Sequence, residues 1–503
     1  MGIPFYFYTL AKKYDNIIIQ NLDIQPDIYC LDFNGVIHPV CASILQKNPS
    51  VSNTDIINGL YKKVTTDIST IKPQKTIICV DGSVPLAKMV QQRKRRYLSV
   101  YRNKIDKVDV NWDTNCITPG TSFMNELDQV FKKQLRYSTT DIHFSGSDEY
   151  GEGEQKIFKL LQAEKNDIVI IINGMDADLI ILSLMSNRKN IYLMRESEIR
   201  TYINVDNLRK AIITEMMQKW RLKSEDYVDL FSTNSNELIE SYCVMCSLLG
   251  NDFIPHLLTL KLKSNGLDRL IRYTGDSYET YGLLVKDNSI NYDALVDIIQ
   301  RISKTEDLDI VEECKRYIGY RLTNTNNMKA SEYYAMKNKD NLASIIYTDQ
   351  SKWRQNYYKL IFGTNTQTDS SVVSSACLNY ITGIYWTYAY YKRRDYDDTW
   401  YYPYTYPPVI KDIANHLVGN NAPIILNNRV KIDSNIQLLI VLPRESRHLV
   451  ADKYKNYFDD VRLGLKHLYP TEYKIQTFLR THLWECEPVL PTINIQYIME
   501  CVS

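Results

Sequence analysis

No charge sign dominates this chain of 503 residues: 60 Lys and Arg face 59 Asp and Glu, a formal net charge of +1. That excludes a uniformly basic nucleic-acid coat and a polyanionic disordered tail, but not an enzyme whose charges are segregated. Glycine and proline are scarce, at 18 and 16, and no long Gly/Ser linker, internal repeat or coiled coil is visible. No apolar run approaches the roughly 20 residues of a membrane-spanning helix; Ile168–Ile172 and Leu438–Leu442 are strand-length. The stretch Met1–Lys13 lacks the basic head and apolar centre of a signal peptide, and Tyr6 stands where a myristoylation pattern needs Ser or Thr. The ten cysteines are scattered, with Cys30 and Cys79 inside strand-like apolar runs, which predicts buried thiols in a reducing, cytoplasmic setting. Cys243 and Cys246 form a CxxC inside an apolar helical stretch without a second ligand pair, so core packing is expected there rather than zinc.

What is present is an ordinary globular composition, 44% hydrophobic and 24% charged, with chain enough for two to four domains or one large catalytic body. The 39 tyrosines, with abundant Asn, Ile and Lys, fit an AT-rich genome more readily than a function.

The first half alternates strand and helix signals. Ile28–Phe33, Thr76–Asp81, Asp141–Ser145, Asp167–Asn173 and Ile191–Met194 are short apolar or β-branched runs, with helical patterns such as Glu154–Lys165 and Ala177–Ser186 between them. This rhythm predicts an α/β fold with a parallel sheet covered on both faces. From about Gly266 the rhythm stops. Residues 266–375 are polar and irregularly helical, and residues 376–410 are dense in aromatics. A mainly helical second half, packed on the first, is expected, with Tyr380–Tyr406 forming much of the contact. The division expected is an α/β domain over 1–265 and a helical domain over 266–503.

The carboxylates fall where such a sheet would gather them. Asp32 and Asp81 end the first two strands, and Asp176 and Asp178 follow the fourth. Glu152 and Glu154 sit in a Gly-Glu-Gly-Glu turn before a helix, and Asp252 follows Gly250-Asn251. The carboxyl ends of parallel strands share one edge, where ligands bind. Any one acid there is explained by helix capping. The set together would repel unless cations are present, which implies hard divalent ions, Mg²⁺ or Mn²⁺. Two such ions can activate a water and stabilise a leaving oxygen, making phosphodiester hydrolysis the expected reaction.

Directly after Asp81 comes a basic stretch. Read as a helix, Lys88, Gln92, Arg95 and Arg96 share a face. A solvated basic face is the ordinary reading of such a run; its start beside Asp81 lets it reach the acidic crevice instead. Guanidinium groups with a Lys and an amide suit a terminal phosphate, hence an exonuclease reading a 5′ end. His38, on a loop six residues after Asp32, could stack on a base; Trp484 reads as an unremarkable core residue.

These residues resemble the Xrn family of 5′→3′ exoribonucleases. The matching segments are MGIP (1–4), LDFNGVIH (31–38), DGSVPLAKMVQQRKRR (81–96), NCITPGTSFM (115–124), GEGEQKI (151–157), GMDADLIIL (174–182), LMRE (193–196), LLGNDFIPH (248–256) and TWYYPYTYPP (399–408). The resemblance implies a PIN/FEN-like nuclease core and seven metal-binding carboxylates: Asp32, Asp81, Glu152, Glu154, Asp176, Asp178 and Asp252. It implies two Mg²⁺ ions, a 5′-monophosphate held by Lys88, Gln92, Arg95 and Arg96, and bases sandwiched between His38 and Trp484. Single-stranded RNA would be degraded processively, as in mRNA decay, with capped ends excluded. Departures are Tyr150 in place of the usual Pro, Thr405 and Pro407 in place of His and Ala, and a missing Gly after the Tyr run. The chain stops at Ser503 without long extensions and has no CCHC knuckle, as a compact member from a large DNA virus would. The competing readings are a DNA flap nuclease, against which no helix-hairpin-helix signal is seen, and a non-catalytic RNA scaffold, which intact carboxylates disfavour.

Overall fold

The computed structural model describes residues 3, 5–22, 24–109, 112–174, 176–196, 199–220, 234–322, 328–365, 369–423 and 427–502. Of the motif residues, Met1, Gly2, Pro4 and Met175 lie outside them. Seven strands form one sheet: β1 (Ile18–Ile19), β2 (Ile28–Asp32), β3 (Lys75–Cys79), β4 (Asp141–Ser145), β5 (Ile170–Asn173), β6 (Ile191–Arg195) and β7 (Thr201–Asn204), in the spatial order β1-β7-β6-β5-β2-β3-β4. The five strands from β6 to β4 are mutually parallel, as expected. The edge pair departs from that expectation, since β7 runs antiparallel to both β6 and β1. Elements of four and two residues carry too little period-two signal to be read from sequence.

Alternation along the central strands splits the core in two. Ile28, Cys30, Ile77, Cys79, Ile170 and Ile172 pack on one face, and Tyr29, Leu31, Ile78, Val80 and Ile171 on the other. All five residues of β2 are buried, as a strand covered on both faces requires. The chain lays β3 and β4 to one side of β2, then returns to place β5 and β6 on the other. The sheet therefore has its switch point between β2 and β5, where a crevice opens at the carboxyl ends.

The core on the first face continues without a break into the second half, through Tyr380, Trp386, Tyr390 and Tyr391 of the Ser371–Tyr391 helix. The aromatic segment thus packs the second half onto the sheet-bearing first half, as its density suggested. Cys243 and Cys246 lie buried in the Ser235–Cys246 helix, and burial pushes the Cys246 thiol up to about 12, which suits inert core residues. Leu438–Leu442 corrects the strand-length reading. It lies largely in a helix, Ser434–Val441, capped by Asp433, and is apolar on all sides because it is buried against the Leu86–Asp106 helix. No helix of the described residues is long and apolar enough to cross a membrane.

Candidate active site

Each acid reaches the crevice for a local reason. Asp32 is the last residue of β2, and the chain passes straight into the Phe33–Lys47 helix. His38 therefore sits on a helix, not on the loop expected from its sequence; Pro39 is accommodated inside that helix. Asp81 lies two residues beyond β3, where its backbone N–H donates to Asn34 Oδ1 at 3.0 Å. The Gly-Glu-Gly-Glu turn is tied to this loop by paired backbone bonds, Gly82 N–H to Gly151 O at 2.9 Å and Gly151 N–H to Ser83 O at 2.8 Å. Gly153 then packs so closely that a Cβ would lie 2.8 Å from Asp32 Oδ1 and 2.8 Å from Cys79 O. Its N–H donates to Asp81 Oδ1 at 2.7 Å. Only glycine fits there, and it draws Asp32 and Asp81 together beside Glu152 and Glu154.

Electrostatics shows that the seven expected carboxylates form one connected set. Burial, then Asp81, Asp176 and Glu152, push the Asp32 carboxyl well up. Burial and then Glu152 push up Glu154, which also feels Asp178 and Asp32. Burial, then Asp252, raise Asp178 to about 7. Lys88 is the buried counter-charge. Its ammonium lies against Glu152 and 2.8 Å from Asp252 Oδ2. Burial would raise the Asp252 carboxyl, but the surrounding positive charge, Lys88 foremost and Arg95 with it, holds the group well below the ordinary range. Among the described residues no three Asp, Glu, His or Cys side chains close a ready-made metal cage; Lys88 stands between Glu152 and Asp252. A set of hard oxygen donors this crowded, with the Lys88 ammonium among them, is the donor chemistry that Mg²⁺ or Mn²⁺ suits.

The basic run divides around the Leu86–Asp106 helix. Arg96 donates to Thr118 Oγ1 at 2.7 Å and to Gln92 Oε1 at 3.4 Å, and burial followed by Arg95 lowers its pKa to about 10. Arg95 is exposed. Burial, then Arg95 and Arg96, lower the pKa of His38, which places that imidazole beside the two guanidinium groups. Arg93, in the midst of the run, turns away and is buried, donating to the Pro491 and Leu468 carbonyls. It fastens the C-terminal segment rather than facing substrate. Lys94 likewise pairs with Glu487 at 3.1 Å.

Trp484 is 40% exposed, not a core residue. Its ring packs on Phe5, at 5.7 Å, and on His482, at 5.8 Å. Among the described residues no ring contact joins it to His38. Trp484 lines a cavity of about 620 Å³ that Arg95 and Asp252 also line, so the base-stacking candidate, one guanidinium group and one of the seven acids open onto one space.

Sequence reasoning missed three groups. Thr118 lies in the matched NCITPGTSFM segment, a usable signal. Tyr390 donates to Glu152 Oε1 and Tyr391 to Asp178 Oδ1, the latter at 3.1 Å; both were submerged in the tyrosine surplus. Tyr150, the departure from the usual Pro, donates to Asp398, which pairs with Arg429 at 3.0 Å. The Asp398 carbonyl accepts from Leu86 N–H at 2.8 Å, so this departure ties the Glu152 turn and the basic helix to the second half.

A family model described as "XRN 5′-3′ exonuclease N-terminus" matches residues 1–197, and the "Xrn1 helical domain" matches residues 232–352 and 321–503. The chain belongs to the Xrn family. Human 5′-3′ exoribonuclease 1 is 26% identical, across all of this chain and 34% of that protein. A 5′-3′ exoribonuclease 2 homolog of Caenorhabditis briggsae is 22% identical, across all of this chain and 71% of that protein. This Xrn chain thus spans about a third of the human relative's length. Among solved structures, a bacteriophage T5 flap endonuclease overlays with a TM-score of 0.27 at 9% identity, over 78% of this chain and 98% of that one.

Proposed function

We propose that this Xrn chain is a 5′→3′ exoribonuclease that hydrolyses single-stranded RNA bearing a 5′-monophosphate, processively, releasing nucleoside monophosphates. The observation that carries the reading is the juxtaposition of seven carboxylates at the sheet's switch point with the Gln92, Arg95 and Arg96 face of the adjoining helix. Residues 1–265 would supply this chemistry and residues 266–503 would complete the RNA path.

Asp32, Asp81, Glu152, Glu154, Asp176, Asp178 and Asp252 would hold divalent cations. Once bound, Mg²⁺ or Mn²⁺ supplies Lewis-acid activation of water and neutralises charge on the leaving oxygen. The chain's own part is positional. Arg96, steadied by Gln92 and Thr118, and the exposed Arg95 bind a terminal phosphate through charge-assisted hydrogen bonds. Lys88, already among the acids, can neutralise phosphate charge beside them. His38 and Trp484 offer flat faces for bases, a contact that tolerates any sequence. Two guanidinium groups around one terminal phosphate leave a cap or triphosphate without matching contacts.

The test is decay, in Mg²⁺, of matched RNAs carrying a 5′-monophosphate, triphosphate, hydroxyl or cap, beside a DNA flap. Monophosphate RNA should decay fastest; equal decay of all ends refutes the pocket, and preferred flap cleavage supports a DNA nuclease instead. Arg95→Ala should cut the monophosphate preference by about 10- to 150-fold, the worth of one charge-assisted contact. An unaltered preference rules that role out.

A further inference from the structure

We propose that Tyr390 and Tyr391 are positioning residues that set which divalent cation the carboxylate site accepts. The inference rests on the metal-site reading above and concerns residues outside the seven acids. The two tyrosines end the Ser371–Tyr391 helix. Neighbours on a helix diverge by about 100°, so one hydroxyl reaches the Gly-Glu-Gly-Glu turn and the other the helix after β5. Both side chains are buried, at 3% and 5% exposure. Tyr390 is wedged by rings on several sides: stacked on Trp386 at 5.0 Å and 11°, with Phe253 and Tyr396 edge-on at 5.2 and 5.1 Å. Its hydroxyl has no room to swing.

The bonds select oxygens. Tyr390 donates to Oε1 of Glu152, while the Lys88 ammonium lies against Oε2. The oxygen that Tyr390 leaves alone is the one paired with Lys88, so a divalent cation reaching Glu152 would meet Oε2 in place of the ammonium. Tyr391 holds Oδ1 of Asp178 in the same manner, at 3.1 Å. A carboxylate with one oxygen tied offers its other oxygen singly. Mg²⁺ accepts such single oxygens in an octahedron and keeps waters, whereas Ca²⁺ takes six to eight oxygens and readily uses both from one carboxylate. Tying one oxygen on each of two acids therefore disfavours Ca²⁺ relative to Mg²⁺. Hydrogen-bonded partners of metal-ligating carboxylates commonly tune metal affinity.

Calorimetric titration of the full chain with Mg²⁺, Mn²⁺ and Ca²⁺, without RNA, tests this in wild type, Tyr390→Phe, Tyr391→Phe and the double variant. Phenylalanine keeps each ring and removes only the hydroxyl. The Mg²⁺-to-Ca²⁺ affinity ratio should fall about tenfold in the double variant. Tyr388→Phe is the control: its hydroxyl meets Glu240, at 2.9 Å, outside the carboxylate set, and its ratio should match wild type. Affinities lowered equally for all three cations, or a ratio that does not move, would overturn the proposal while leaving the metal site standing. Wild type that binds none of the three would remove both. Each single variant is judged separately, so loss of fold in the double variant still leaves two ratios to decide the matter.

Discussion

Asp178→Asn is expected to lower the RNA hydrolysis rate by at least about 10³-fold, the scale of losing one group that stabilises transition-state charge, while the metal-free protein becomes harder to unfold. The substitution is isosteric, and the amide oxygen can still accept from Tyr391, so packing is preserved. What changes is charge. Burial and Asp252 raise the Asp178 carboxyl to about 7, above its ordinary value of about 3.9. A carboxyl so raised favours folding fully only below that ordinary value, and the contribution is lost as pH climbs through about 7. Without metal, ionised Asp178 therefore works against the fold at neutral and higher pH, and asparagine removes that cost. Thermal melts in EDTA should show the variant ahead of wild type at pH 8, with the gap narrowing toward pH 5. Turnover near the wild-type rate in Mg²⁺ would refute the place of Asp178 in the site.

Lys88→Met should have the opposite effect on stability. Removing one partner from a buried charge cluster typically costs about 3–5 kcal/mol, and Lys88 is a buried cation lying against both Glu152 and Asp252. Its pairing with Asp252, held well below the ordinary carboxyl range, is a stabilising contribution present above pH 4 and lost only as pH falls through that lowered value. In the variant, the exposed penalty is repulsion among ionised acids. The deficit in urea unfolding should therefore be largest at pH 8 and shrink toward pH 5, where the acids take up protons. Added Mg²⁺ should recover most of it, because a ligand bound only by the native state stabilises by mass action. A deficit indifferent to both pH and Mg²⁺ would mean that Lys88 serves packing alone.

Much of the site was legible because local rules place it. Short continuous apolar or β-branched runs such as Ile28–Phe33 identified buried strands, and chain direction then put Asp32, Asp81 and Asp176 at one edge. The helical spacing of Lys88, Gln92, Arg95 and Arg96 was enough to define a face. The same spacing put Arg93 on another face but could not say what covered it.

The sequence by itself therefore determined the parallel sheet, the acids at its carboxyl edge, and the basic helix that starts beside Asp81. Only the tertiary structure decided that Arg93 fastens the C-terminal segment, that Lys88 enters the acidic cluster, and that Leu438–Leu442 is largely helical. It also picked two tyrosines out of 39, joining Tyr390 to Glu152 across 238 positions and Tyr391 to Asp178 across 213. The reason is physical. Periodicity and turn chemistry are set by neighbours along the chain, whereas which distant segment covers a given face is settled by the joint packing of all of them.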